Sequence, residues 1–101
     1  MKYKFIVTEQ AQLEYEESAS YYEMQQQGLG MRFVDTIEKL KETIAKNPRL
    51  FAKKKKEYRE VQAKPFPFLI VYRIDKENEA VLVVAVFHTS RHPKEKYKRE
   101  K

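Results

Sequence analysis

Residues 66–88 read FPFLIVYRID, KENE, AVLVVAVFH: two apolar runs rich in β-branched and aromatic side chains around a charged tetrad. Runs of this length and composition form strands, and KENE is too short and polar for anything but a hairpin loop. Neither run alternates. Leu69, Ile70, Val71 and Tyr72 are consecutive apolar positions, and so are residues 81–87. Both faces of the hairpin therefore want cover. A chain of 101 residues makes one domain with a modest core. Within it, one face must be covered by helices and the other by something else.

The upstream half supplies the helices. Tyr3, Lys4, Phe5, Ile6 and Val7 alternate briefly and read as a first strand near 3–7, and Thr8 is placed to cap a helix after it. Over 9–27 the residues Ala11, Tyr15, Ala19 and Tyr22 recur at spacings of four, four and three, while the glutamates lie off that stripe. Gly28 and Gly30, the two glycines of the chain, are expected to supply positive φ angles for a tight reversal. A second helix is expected over 31–46 on Phe33, Ile37, Leu40 and Ile44, and Asn47-Pro48 stops it. A basic loop follows with four consecutive lysines, then a polar, edge-exposed strand near 57–63, then hairpin strands near 67–75 and 80–88. The order predicts an α+β fold: a small antiparallel sheet with an N-terminal helical hairpin packed on one face.

Composition narrows the function classes. The chain has no cysteine, so it has neither disulfides nor thiolate metal sites, which fits a cytoplasmic protein. No apolar run approaches the roughly 20 residues a bilayer span needs, and MKYKFIVTEQ holds no signal-peptide core. Charge is segregated. Residues 8–27 carry five acids and no Lys or Arg, leaving +11 on the other 81 residues of a chain whose net charge is +6. Such asymmetry points to an anionic partner, nucleic acid or an acidic protein, although lysine-rich surfaces also serve solubility alone.

The ordered set of motifs resembles the RelE/ParE superfamily of type II toxins over nearly the whole chain. It comprises Tyr21-Tyr22, Gly28-Leu29-Gly30 before Arg32-Phe33, Asn47-Pro48, Tyr58-Arg59-Glu60, Phe66-Pro67-Phe68 running into Val71-Tyr72-Arg73-Ile74, and His88-Thr89-Ser90-Arg91-His92-Pro93. The resemblance implies the toxin of a toxin–antitoxin pair, needing no cofactor or metal and neutralised by an acidic antitoxin, whose bound segment would cover the hairpin face that the chain's own helices leave open. A homodimer within that complex is among the assemblies it implies. The branches differ: RelE-like members cleave mRNA on the ribosome, and ParE-like members poison DNA gyrase. The ParE-like ending H-x-x-R-x-P-x-x-W is matched by His88, Arg91 and Pro93, with Tyr97 one residue beyond the tryptophan position. That spacing favours gyrase as the target, with mRNA cleavage as the alternative.

Metal-free RNA cleavage needs a base for the 2′-hydroxyl, cations around the phosphate and an acid for the leaving oxygen. His88 has the right titration range for the acid or base. Arg59, Arg73 and Arg91 are candidates to clamp phosphate, and Tyr97 to stack on a base or share a proton. Each has a plainer role too: a histidine that caps a strand end, or arginines paired with glutamates. Lys53, Lys54, Lys55, Lys56 and Lys64 are candidates for sequence-blind phosphate attraction or for a merely solvated loop. If each strand stays regular, His88 shares a face with Val86 and Val84, and Arg73 shares one with Val71 and Leu69.

Overall fold

The computed structural model describes residues 2–90. Its elements are β1 (Lys4–Val7), α1 (Glu9–Gln25), α2 (Leu29–Lys46), β2 (Lys53–Lys55), β3 (Tyr58–Gln62), β4 (Phe68–Asp75) and β5 (Ala80–His88). The strands form one five-stranded sheet in the order β1-β5-β4-β3-β2. The expected α+β class and helical hairpin are present, but the sheet is mixed. β1 runs parallel to β5, from Lys4 opposite Ala80 to Val7 opposite Val83.

Both helices pack on one face through the stripes that periodicity marked. Phe33, Ile37 and Ile44 of α2 and Ala11 of α1 join Val61, Phe66, Phe68, Ile70, Tyr72, Val81, Val83 and Val86 in the main core, with Tyr15, Ala19, Tyr22 and Leu40 packed against it. Thr8 caps α1 as expected, its Oγ1 accepting from the Ala11 N–H at 3.2 Å. The two glycines divide the work differently from the expectation. Gly28 holds φ +89° at the N-cap of α2, whereas Gly30 is helical and is needed for closeness: a Cβ there would meet the Ala19 carbonyl oxygen at 2.6 Å. Because Gly28 offers no capping side chain, Glu23 of α1 does that work across the hairpin. Its carboxylate accepts from the N–H groups of Gly28 at 2.9 Å and Gly30 at 3.0 Å, at the positive end of the helix dipole.

Three further expectations need correction. The lysine run is not a loop: Lys53–Lys55 is a strand pairing with β3, so β3 is not an edge. Its side chains are all exposed, and a lysine-only edge resists pairing with other chains. Second, the far face of the hairpin is not left open, for Val71, Val84 and Ala85 are each 0% exposed, packed with Phe87 and flanked by Tyr58, Leu69 and Leu82. Third, β5 is not regular. Val71 pairs with Ala85 but Tyr72 with Val83, which leaves Val84 as an extra residue, a β-bulge. The bulge reverses the facing of everything after it, so Val84 and Ala85 both join the far-face cluster while Val86 returns to the helix side.

Tyr72 ties the connector after α2 to the sheet. Its side chain is 0% exposed and its hydroxyl donates to the Pro48 carbonyl at 2.7 Å. Burial pushes that phenol up to about 12, with Arg59 pulling weakly the other way. A raised folded-state value favours the neutral form. Its stabilising contribution is therefore complete below the ordinary value near 10 and is lost as pH rises through about 12. Tyr72→Phe is expected to cost about 1–3 kcal/mol, because the Pro48 carbonyl stays buried without its donor. It should also flatten the loss of Tm between pH 10 and 12, followed by circular dichroism. A Tyr72→Phe profile parallel to the parent across that window would contradict this assignment.

Candidate functional site

The end of β5 is built by the bulge. On the helix side of the sheet, His88 stands opposite Phe68 with the ring edge-on at 5.4 Å between centroids. Its Nδ1 accepts from the Ser90 backbone N–H at 3.0 Å and lies 2.7 Å from Ser90 Oγ, which fixes the orientation of the ring. A cavity of about 330 Å³ opens here between β5 and α1, with Glu14, Glu17, Tyr21, Phe68, His88 and Ser90 among its walls. Two carboxylates and no Lys or Arg line it among the described residues. Such a wall repels a phosphate backbone rather than holding one.

The other candidates lie elsewhere. Arg59 is opposite Tyr72, four residues along β4 from the partner of His88 and one strand further out, or roughly 13 Å along the strand direction alone. Its Nη1 donates to the Phe51 carbonyl at 2.6 Å, and its Nε is buried without a hydrogen-bond partner. Around it Arg49, Lys53, Lys76 and Glu57 enclose a cavity of about 80 Å³, which makes this corner cationic. Arg73 pairs with Leu82, whose side chain packs in the far-face cluster, so alternation places Arg73 on the face away from the helices. Lys64 borders a shallow groove of about 370 Å³ with Thr36, Lys39, Leu40, Thr43 and Gln62. Lys54 and Lys55 are exposed on β2, and Lys56 follows with φ 51°. Arg91 and Tyr97 lie outside the described residues. Thus His88, Arg59 and Arg73 occupy three separate places, two on the helix face and one on the other.

Sequence reading overlooked Glu14. Its Oε1 accepts from the Val86 N–H at 3.0 Å, standing in for the strand partner that β1, ending at Val7, no longer supplies. The two residues are 72 apart, so no local spacing announces the contact.

Comparison with known proteins places the chain. The family model described as the ParE toxin of the type II toxin–antitoxin system parDE matches residues 5–93. The chain belongs to the ParE toxin family. No curated protein sequence matches this toxin. Among solved structures, the free state of a mutant E. coli toxin RelE superposes with a TM-score of 0.69 at 20% identity, covering 98% of this chain and 94% of that one. The toxin in the chromosomal ParDE system from P. aeruginosa is similar with a TM-score of 0.70 at 12% identity, over 86% and 96% of the two chains. The intact E. coli RelBE toxin–antitoxin complex gives 0.68 at 17% identity, over 88% and 99%. These likenesses show the shared fold of RelE and ParE toxins, and the chain is a toxin of the type II systems by its family. Among its described residues no helix is long and apolar enough to cross a membrane.

Proposed function

We propose that this toxin inhibits growth by binding DNA gyrase, and that it is held in check by an acidic antitoxin that covers its basic side. The observation that carries the reading is the surroundings of His88. The one described imidazole at the strand end shares a cavity with Glu14 and Glu17, with its Nδ1 engaged by Ser90 and with Arg59 four residues along β4 and one strand further out. Acid–base cleavage of RNA needs a proton-transfer group within hydrogen-bond reach of a phosphate that cations hold. Poisoning a large enzyme by contact needs only a shaped, charged surface. The exposed lysine strand and the cationic corner at Arg59 offer one.

The antitoxin arm rests on the match to the parDE family and on the relatives solved as toxin–antitoxin complexes. The +11 carried outside residues 8–27 complements an acidic segment. A homodimer inside that complex is compatible with the same reading.

One observation favours the alternative, ribosome-dependent mRNA cleavage. Arg59 lines a small cavity with Arg49, Lys53 and Lys76, a grouping of cations of the kind that a phosphate contact would require. Primer extension on mRNA in a translating extract separates the two. The gyrase reading predicts intact messages with toxin present. It also predicts that His88→Ala keeps growth inhibition within a few-fold and costs about 1 kcal/mol of stability, as for lost hydrogen bonds to Ser90. Codon-specific cleavage that falls a hundredfold or more in His88→Ala, the size of effect expected for a lost general acid or base, would overturn it.

A further inference from the structure

Beyond the toxin reading, the end of β5 has the features of a strand-docking edge. β1 covers β5 only from Ala80 to Val83, and the Thr8 N–H makes the last bond, to the Val83 carbonyl. From there β5 runs on to His88, and among the described residues only β4 pairs with that part of it. The Val86 N–H points away from β4, since it donates to Glu14. In an antiparallel ladder, residues two apart share that direction. His88 therefore also aims its N–H and C=O away from β4, and so does the Val86 carbonyl. The Thr89 N–H, of the opposite parity, bonds back to the Pro67 carbonyl on the β4 side, as this geometry requires. Among the described residues this run of backbone donors and acceptors has no strand partner, and it borders a cavity of about 330 Å³ lined by Glu14 and Glu17 together with Tyr21, Phe68 and Val86.

We propose that this edge takes an extended peptide segment of a partner protein, carrying an arginine or lysine beside aliphatic residues. The strand continues the line of β1, with its backbone bonding to His88 N–H and to the Val86 and His88 carbonyls. Its aliphatic side chain lies against Phe68 and Tyr21, the latter 59% exposed. Its cation meets Glu17, whose carboxylate makes no hydrogen bond or ion pair to another described residue. Charge decides the occupant. Residues 8–27 carry five acids and no base in a chain of net charge +6, so an acidic segment is repelled here and a basic one attracted. The site is thereby distinct from the surface expected to meet the acidic antitoxin segment.

The test uses the full-length toxin, isotope-labelled for NMR, with two blocked pentapeptides alternating valine with arginine or valine with glutamate. The arginine peptide is expected to bind saturably, to slow exchange of the His88 amide, and to shift amides of α1 near Glu17 and Tyr21. Glu17→Lys should weaken it at least tenfold. Tyr21→Lys, at an exposed position, should do the same without altering the spectrum of the core. Lys54→Glu on the far edge should leave binding unchanged. Equal binding of the glutamate peptide, protection at β1 or β2 in place of His88, or indifference to both α1 variants would each overturn the proposal.

Discussion

Phe33→Ala is expected to lower the stability of the toxin by about 3–5 kcal/mol, the cost of removing a fully buried aromatic ring and leaving its cavity. Phe33 is 0% exposed and has ring centroids on every side: Tyr22 at 5.3 Å and Tyr15 at 6.0 Å from α1, Phe66 at 5.2 Å, and Phe68 of β4 at 5.0 Å. It is one of the side chains through which the helical hairpin meets the sheet. Its neighbours are rings, which cannot collapse into the gap as flexible aliphatic chains would. A domain of this size has about 5–15 kcal/mol in total, so the variant should unfold at a much lower urea concentration. Ile37→Val, one methylene at a 2% exposed site of the same helix, calibrates the scale at about 0.5–1.5 kcal/mol. A Phe33→Ala loss no larger than that of Ile37→Val would show that the helical hairpin does not rest on this cluster.

The second large effect is expected at Gly30. Alanine is the better helix former by about 1 kcal/mol, yet Gly30→Ala should destabilise by about 2–3 kcal/mol, in the range of an overpacked core. The new Cβ would sit 2.6 Å from the Ala19 carbonyl oxygen and 2.9 Å from Glu23 Cβ. The first of these is backbone and cannot swing away. Relief requires α1 and α2 to separate, and that pulls Glu23 off the N–H groups it caps. Gly28 is the contrast. A Cβ there meets nothing within 4 Å, so its cost comes from φ +89° alone, about 1–2 kcal/mol for an L-residue. Thermal melts of alanine and valine at each position check the distinction. The loss should grow steeply with side-chain size at Gly30 and only slightly at Gly28. Equal size dependence at the two would contradict the close-approach account.

The helices and the central hairpin were legible because each rests on a local signal. The 3.6-residue stripes through Phe33, Ile37 and Ile44, the Thr8 cap and the Asn47-Pro48 stop are all written within a few residues of where they act. What escaped was set by distant partners. A four-residue strand does not announce its direction, so β1 was expected in an antiparallel sheet. The strand over Lys53–Lys55 carries no β-forming side chains, and exists because β3 offers it a ladder and Arg59 holds the Phe51 carbonyl beside it. The bulge at Val84 lies inside an unbroken apolar run with no glycine to betray it, yet it decides which face His88 occupies. The candidate site inherits that limit. His88 and Arg59 could be named from their types, but their separation, and the carboxylates beside His88, depend on register and on a contact 72 residues long in sequence.

The most direct test of the gyrase reading is a DNA supercoiling and cleavage assay with purified gyrase, titrated with the toxin and with His88→Ala. The account predicts loss of supercoiling and accumulation of gyrase-linked DNA breaks, with the His88→Ala curve displaced by no more than a few-fold. Supercoiling that stays unchanged at saturating toxin, while the same preparation arrests growth, would contradict it.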